Sequence, residues 1–381
     1  MSTDQRHRQT GRRRRGARRT ALAALALTVL WPALWPAVWP GAAAAAVFGI
    51  DDRMPLPDTL KPLQQSIGVM FNVRARTLCS AFCVASHVVA TAGHCLFRTH
   101  GETPARLKDF WFARNYDAVK DYSPIAGYQN GSVAQNVLAG ATDLSVRPPI
   151  AATRDWVLVR LARPVCAKRA LPVTTLSPAE TEREAKAGHV FQISYHRDFT
   201  QWRPAYSRPC EVKRDFAGAD WPTIARDFAE PELLLLHTCD TGGASSGSPL
   251  LLATPSGPKV IGINVGTYVQ SKVEVENGRV TQRYKADTIA NTGVNAAAFA
   301  RLIGAFQEAV ILTSGPPLRA LQERLAQRGL YAGRIDGAYG PGVREAIRAY
   351  ETAEHLPVTG LATEALLARL DMRKATRAST H

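Results

Sequence analysis

Short apolar runs alternate with turn residues from Val47 to about residue 312. The runs are rich in β-branched and aromatic residues, and Gly, Pro, Asn and Asp separate them, which is the pattern of strands in a sandwich or barrel. We predict seven strands in this part of the chain, at 66–73, 87–91, 155–161, 189–195, 233–238, 249–252 and 260–265. The pattern therefore predicts a mainly β domain.

Helical periodicity appears toward the C-terminus. The spacing i, i+3, i+4, i+7 predicts a helix over 295–312, with the apolar positions Phe299, Leu302, Ile303 and Phe306. The same spacing predicts a small domain of three further helices, over 317–327, from Pro341 onward, and over 363–370. The chain thus divides into a leader at 1–46, a β domain at 47–312, a linker rich in Gly and Pro at 313–317, a helical domain at 318–371 and a polar tail at 372–381.

Composition narrows the class of protein. The 381 residues are 46% hydrophobic and 21% charged, which excludes a disordered, collagenous or coiled-coil protein. A net charge of +15 would suggest a nucleic-acid partner. However, residues 1–46 hold eight Arg and one Asp, whereas residues 47–381 hold 39 basic and 31 acidic side chains. Because much of the excess charge lies in the leader, we expect no nucleic-acid partner.

The leader has the features of a secretory signal peptide. An Arg-rich start is followed by an uncharged apolar run and by five alanines at 42–46, where cleavage would occur. A transmembrane anchor is the alternative, but Pro32, Pro36 and Pro40 would break such a helix, so we expect no stable membrane span after cleavage. Export leads to an oxidising compartment, secreted or periplasmic. There an even count of six cysteines predicts disulfides rather than metal ligands.

Two segments of the β domain carry an acid and a base. Thr-Ala-Gly-His-Cys ends a predicted strand and places His94 in the next turn, and histidine is the general base best matched to neutral pH. Asp155 opens a predicted strand, and its carboxylate can accept a histidine ring N–H and so fix the tautomer. Asp143 is the nearest alternative acid, but no comparable strand follows it.

A third segment carries a candidate nucleophile. It reads Thr-Gly-Gly-Ala-Ser-Ser-Gly-Ser-Pro-Leu-Leu at 241–251, and its composition alone would also describe a flexible loop. Ser-Gly-Ser-Pro, however, runs directly into a predicted strand, and Gly247 permits a tight turn after Ser246. The backbone N–H groups of Ala244 and Ser246 can then converge on a developing oxyanion.

Together these three segments, in the order His, Asp, Ser, resemble the trypsin-like serine proteases. The resemblance implies two antiparallel six-stranded β-barrels of the chymotrypsin type and hydrolysis of protein or peptide substrates. It assigns His94, Asp155 and Ser246 as the catalytic triad, and Ala244 with Ser246 as the oxyanion hole. It implies no cofactor and no metal, and we expect a monomer.

The chain departs from the digestive members of that family. Those members have an Asp before the nucleophile that receives the new N-terminal amine, whereas this chain has Ser245, so we expect no such activation switch. Ala244 replaces a Gly of the oxyanion turn, and a positive φ there would strain it. The Gly-Ser-Pro ending resembles bacterial glutamyl endopeptidases, but Ile263 stands where their pocket His would lie, beside Asn264 and Gly266. Glutamate specificity is therefore not expected.

The role of Asp240 has two interpretations. It lies six residues before Ser246, the offset of the acid that selects Arg and Lys substrates in trypsin. It also follows Cys239 directly, where an Asp commonly occupies a turn.

Six cysteines allow 15 pairings. The family resemblance favours Cys79–Cys95, proximity to the predicted second barrel favours Cys210–Cys239, and Cys83–Cys166 then follows by elimination alone.

The helical domain carries its own motif. Ile-Asp-Gly-Ala-Tyr-Gly-Pro at 335–341, followed by Leu-Pro-Val-Thr-Gly at 356–360, resembles the peptidoglycan-binding domain of bacterial wall enzymes. The resemblance implies peptidoglycan as a partner and a place at the cell wall. We predict Tyr331, Arg334 and Tyr339 as contacts, although Tyr339 fits the small core equally well.

The sequence therefore predicts an exported serine endopeptidase held at the cell wall. A cell-wall hydrolase is one alternative, but no His/Asp/His zinc set or Cys/His pair supports it. A catalytically silent binding protein on a protease scaffold is the other. The presence of all three expected catalytic residues argues against it, while Ala244 argues for it.

Overall fold

The computed structural model describes residues 46–97, 106–114, 121–199, 203–217, 219–276 and 279–378, with the backbone alone at 270–288 and 372–378. The predicted leader lies outside these residues, except for Ala46, and so does the choice between signal peptide and anchor. Within the described ranges, no helix is both long enough and apolar enough to cross a bilayer.

The regular elements of the described residues are mostly strands. The strands β1 to β14 are, in chain order, Met54–Pro55, Ile67–Asn72, Thr77–Ala85, Val88–Thr91, Phe110–Ala113, Tyr122–Pro124, Val137–Ala139, Val157–Arg160, Val190–Ser194, Ala205–Ser207, Leu234–His237, Pro249–Leu252, Lys259–Glu276 and Arg279–Asn295. The helices α1 to α6 are Pro178–Lys186, Trp221–Asp227, Ile303–Glu308, Pro316–Ala326, Pro341–Ala353 and Glu364–Ala378. Short 3-10 helices lie at Asp58–Gln65, Gly93–Cys95, Leu107–Asp109, Val133–Asn136, Ala152–Arg154, Pro231–Leu233, Ala296–Ala298 and Ala300–Leu302.

The strands form two antiparallel sheets, which confirms the mainly β fold class followed by a small helical domain. The first sheet has the order β6-β5-β2-β3-β4-β8-β7, and the second has the order β1-β10-β9-β12-β13-β14-β11. Each sheet has seven strands in the described residues instead of the expected six. The edge strands β1, β6 and β7 are only two or three residues long, so they contain too few alternating positions to be recognised in the sequence.

The largest apolar core lies between the two sheets. Ile67, Phe82 and Leu158 of the first sheet and Ile193 and Leu251 of the second are all fully buried in it. The segments that carry His94, Asp155 and Ser246 border this core. The first follows β4, the second precedes β8 and the third precedes β12. Packing of the two sheets therefore brings together three segments that are far apart in sequence.

The predicted helix at 295–312 is correct as an α-helix only at Ile303–Glu308. The chain forms two 3-10 turns there before α3 begins at Ile303. Phe299 leaves helical geometry with a φ of −133° and packs against Trp156, with ring centroids 5.9 Å apart. Core packing of this ring outweighs the local helical preference. The predicted strand at 260–265 extends much further, because β13 and β14 form one long hairpin.

The helices α4, α5 and α6 form the helical domain. Their buried apolar residues include Leu318, Leu321, Leu325, Val343, Ile347, Leu366 and Leu370. Buried Gln322 holds the Ile-Asp-Gly turn by accepting from Gly337 N at 2.8 Å and donating to Asp336 Oδ1 at 3.0 Å. The carboxylate of Glu351 accepts from the backbone N of Thr359 and of Gly360, which explains the compact Leu-Pro-Val-Thr-Gly turn.

Candidate active site

Three disulfides brace the β domain, in the pairings that the sequence led us to expect: Cys79–Cys95, Cys83–Cys166 and Cys210–Cys239. The first joins β3 to the turn that carries His94. Two groups of Cys and His side chains have metal-like spacing, one around His94 and one around His237. Their sulfur atoms are engaged in disulfides, so they are not thiolate ligands.

His94 and Asp155 form a bidentate pair. The backbone N of His94 donates to Asp155 Oδ1 at 2.7 Å, and the ring Nδ1 donates to Oδ2 at 2.7 Å. Gly93 makes this approach possible, since a Cβ at that position would lie 3.0 Å from Asp155 Oδ1. A proton on Nδ1 leaves the lone pair of Nε2 available in the neutral ring, which is the tautomer that a general base needs.

The pair also shifts the pKa of the histidine. Burial of the ring lowers the pKa of His94, but the charge of Asp155 and the hydrogen bond to it outweigh burial, so the pKa ends above its ordinary value. The acid limb of a rate profile that depends on neutral His94 will therefore lie above the ordinary pKa of histidine.

Close packing against the first sheet fixes the turn around Ser246. Gly247 has a φ of +83°, and a Cβ there would lie 2.0 Å from Thr91 Oγ1 and 2.3 Å from Ser80 O, so only glycine fits. Ser80 N donates to Ser246 O and also to Ala244 O, each at 2.9 Å. These contacts place the serine turn against the strand end that precedes His94.

The described residues contain no hydrogen bond between His94 and Ser246. The ring Nε2 instead lies 3.9 Å from Cys95 Sγ. Catalytic hydrogen bonds are often long or absent without substrate, so this distance does not remove Ser246 as the candidate nucleophile. The structure therefore brings the acid and base into contact and places the serine turn beside them.

The turn before Ser246 has the form of an anion-binding loop. Ala244 has a φ of +82°, which is the strained conformation considered for this position, at a cost of about 1–2 kcal/mol for a residue with a Cβ. Among the described residues, the N–H groups of Ala244 and Ser246 have no hydrogen-bond acceptor. These two free amides, on either side of Ser245, can donate to a developing oxyanion.

A cavity of about 280 Å³ opens beside His94 and Asp155. Its wall is largely apolar and comprises Leu144, Val146, Ile150, Phe228, Val265 and Tyr268, with Gly266 on the β13 side. The register of β13 breaks between Asn264 and Gly266, which bends the strand at this wall. Tyr268 Oη donates to Asp227 Oδ2 at 2.7 Å and so satisfies the one phenol that the wall contains.

The residues that we expected to line the substrate pocket do not all lie at the cavity beside His94. Only Gly266 lines the cavity beside His94, while Ile263 and Asn264 are buried. Asn264 supports the nucleophile turn, because its Nδ2 donates to Ser245 O at 3.2 Å and its Oδ1 accepts from His237 Nε2 at 3.1 Å. Burial lowers the pKa of His237 to about 4, so this ring is neutral at ordinary pH and donates to Asn264 without a charge.

Both oxygens of Asp240 are occupied by the N-terminal segment. Phe48 N donates to Oδ1 at 2.8 Å and Asp52 N donates to Oδ2 at 2.9 Å. The carboxylate is buried and does not line the cavity beside His94. Of its two interpretations, this geometry favours the structural one, and Asp240 is left out of the site proposed below.

Sequence reasoning missed the role of residues 46–53. Thr241 N donates to Ala46 O at 2.9 Å, so this segment is bonded to the loop that ends at Ser246. The buried guanidinium of Arg53 pairs with Asp51 and Asp198 and lies against Gly242. No local pattern marks such a role, because each partner is a lone charge or a backbone amide.

The expected peptidoglycan contacts have different environments. Arg334 is exposed on the turn, and Tyr331 Oη donates to its carbonyl at 2.8 Å. Tyr339 is held inside the domain, where its Oη donates to Gly360 O at 2.6 Å and accepts from Arg344 Nε at 3.1 Å. Burial raises the pKa of Tyr339, as expected for the core interpretation of this residue.

The helical domain matches a known protein family in sequence. Residues 314–370 match the family described as "Putative peptidoglycan binding domain". No curated protein matches the chain in sequence. Three solved structures that it is similar to are all proteases. A Glu endopeptidase in complex with MPD has 17% identity and a TM-score of 0.43, over 68% of this chain and 98% of that one.

The other two similar structures are also proteases. A thermostable serine protease, AL20, from an extremophilic microorganism has 18% identity and a TM-score of 0.41, over 65% of this chain and 99% of that one. The protease Anisep from Arthrobacter nicotinovorans has 14% identity and a TM-score of 0.37, over 60% and 89%.

Proposed function

We propose that the chain is an exported serine endopeptidase that is held at the cell wall by its helical domain. The observation that carries the proposal is the bidentate His94–Asp155 pair beside a serine turn with two free amides. A solvated or purely structural histidine would need neither the fixed tautomer nor the adjacent unbonded N–H groups.

In the proposed mechanism, His94 Nε2 takes the proton of Ser246 as Oγ attacks the substrate carbonyl. Asp155 holds the ring and stabilises its charged form without taking the proton itself. The amides of Ala244 and Ser246 stabilise the tetrahedral oxyanion. His94 then returns the proton to the leaving amine, and water releases the acyl group by the same route.

The cavity beside His94 supports an apolar substrate side chain near the scissile bond. Its wall is dominated by aliphatic and aromatic groups, and Val146 stands 68% exposed at its rim. Burying such a side chain there would stabilise binding by roughly 1.5–3 kcal/mol. The proposal thus favours substrates with an apolar residue at this position over acidic or basic ones.

An activity-based probe tests the nucleophile directly. A fluorophosphonate is expected to label the native protein at Ser246, as peptide mapping by mass spectrometry would show, because the pair and the free amides activate that hydroxyl. Ser246→Ala and heat-unfolded protein are the controls, and both should stay unlabelled. Labelling that persists in Ser246→Ala, or none in the native protein, would contradict the protease proposal and favour the silent scaffold.

The helical domain provides the proposed attachment to the cell wall, which we call the tether. It is tested by sedimenting the full chain with purified sacculi at physiological salt, where we expect retention in the pellet. Arg334→Ala should reduce retention, because it removes an exposed cation from the turn. Arg319→Ala, another exposed arginine of the same domain, is the matched control and should not. A native protein that remains in the supernatant would refute the tether.

A further inference from the structure

A second groove lies at the edge of the first sheet formed by β5 and β6. It has a volume of about 710 Å³ and is lined by aromatic, amide and guanidinium groups, among them Trp111, Tyr122, Tyr128, Gln129, Asn130 and Arg163. None of its lining residues lines the cavity beside His94. The proposed peptidase mechanism leaves this groove without a role.

Two rings form a fixed platform in the groove. Trp111 and Tyr128 pack edge to face, with centroids 5.9 Å apart and an interplanar angle of 68°. Tyr128 is 46% exposed, although most large apolar side chains of the β domain are buried. Neither Tyr128 Oη nor Trp111 Nε1 has a hydrogen-bond partner among the described residues. Exposed rings with unbonded polar tips are characteristic of binding surfaces.

Hydrogen bonds among its own residues brace the loop that carries Tyr128. Gly127 has a φ of +80°, and its carbonyl accepts from Ser132 N at 3.1 Å. Ser132 Oγ donates to Asn130 Oδ1 at 2.6 Å, and Asn136 Nδ2 donates to Ser132 O at 3.1 Å. Asn130 therefore keeps its Nδ2 donor for a ligand, and a ligand would bind this wall with little loss of loop entropy.

The same loop also contacts the helical domain. Arg344 Nη2 of α5 donates to Ala134 O at 2.9 Å, and Gln135 Nε2 donates to Thr313 O at 3.4 Å. The groove wall at 127–130 and the contact with the helical domain at 134–135 are thus a few residues apart.

We propose that this groove binds the glycan strand of peptidoglycan, as a second subsite next to the helical domain. The proposal rests on the proposed tether and deepens it. Sugar rings present apolar C–H faces that pack on aromatic rings, and Trp111 and Tyr128 supply that platform. The hydroxyl and N-acetyl groups take hydrogen bonds from planar amides and guanidinium groups, which Gln129, Asn130 and Arg163 supply.

Charge and composition favour a glycan over a proline-rich peptide. Aromatic grooves also bind polyproline segments, but two adjacent amide side chains match the closely spaced polar groups of a sugar. Arg163 is the charged residue of the lining, and it suits the carboxyl groups that peptidoglycan carries. Two linked sites on one polymer raise retention beyond the affinity of either alone.

Titration of the full chain with an N-acetylglucosamine tetramer tests the groove. In an Arg334→Ala background, which weakens the site expected on the helical domain, Tyr128→Ala should reduce the remaining affinity about tenfold, the scale of one lost ring platform. Tyr128→Phe keeps the ring platform and should lose much less affinity than Tyr128→Ala. Val73→Ala, which removes another exposed apolar side chain of the β domain, is the matched control.

Each outcome separates the groove from the tether. Equal tetramer affinity in Tyr128→Ala and its parent would overturn the groove, even if native protein still sediments with sacculi. Binding of a proline-rich peptide in place of the tetramer would overturn it too. Loss of sacculus retention in Tyr128→Ala, with probe labelling of Ser246 unchanged, would support the groove independently of the peptidase activity.

Discussion

Asp155→Asn is expected to lower kcat/KM for peptide cleavage about 10⁴-fold while the chain stays folded. Asp155 accepts two hydrogen bonds from His94, one from the backbone N and one from ring Nδ1. An asparagine has a single acceptor oxygen, so one of these donors would face an NH₂ group. The ring would then favour the proton on Nε2, which removes the base.

The pH dependence of kcat/KM provides a second test of the role of Asp155. In the native protein the acid limb of kcat/KM should lie above the ordinary histidine pKa, because the charge of Asp155 raises the pKa of His94 against the effect of burial. Without that charge only burial remains, so the residual activity of Asp155→Asn should have its acid limb at lower pH. Asp143→Asn, at the other candidate acid, should leave rate and profile unchanged. Equal losses in the two variants would refute the assignment.

Asp240→Ala is expected to destabilise the chain by about 3 kcal/mol and to reduce labelling of Ser246. The substitution leaves the amides of Phe48 and Asp52 without their acceptors. It also releases residues 46–53 from the loop that leads to the nucleophile. The urea midpoint and the labelling rate measure the two effects.

Two further variants serve as comparisons for the loss of stability in Asp240→Ala. Asp240→Asn keeps one acceptor oxygen and should lose less stability than Asp240→Ala. Asp58→Ala removes an aspartate that is 90% exposed and should change the free energy of unfolding by no more than about 0.5 kcal/mol. If Asp240→Ala unfolds at the native urea midpoint, the N-terminal segment does not support the loop.

The pH dependence of this contribution has a defined sign. Burial raises the pKa of Asp240 in the folded chain, despite the two backbone donors. The folded state therefore holds this proton more tightly than the unfolded state, and the contribution of the group to stability falls as pH rises through its folded pKa. Asp240→Asn should remove that part of the pH dependence.

Local sequence was sufficient for the elements with strong patterns. The strands with complete apolar runs, such as β2, β4 and β12, and the helix α4 lie within one or two residues of their predicted bounds, and α5 begins at the predicted Pro341. Short strands, the nine-residue strand β3 and the long β13–β14 hairpin were not predicted. Their pairing depends on a neighbouring strand, and that partner is not encoded in the local alternation of polar and apolar residues.

The sequence by itself determined which groups carry the chemistry: a histidine, an aspartate and a serine in a characteristic order, and a helical domain with two glycine turns. Only the tertiary structure decided how they are used. It directs Asp155 at His94, turns Asp240 away from the cavity beside His94 toward the N-terminal segment, and packs Tyr339 against the core of the helical domain. It also joins the Tyr128 loop to the helical domain. The hydrogen bonds from Phe48 and Asp52 to Asp240 join residues nearly 200 positions apart, so no local pattern could specify them.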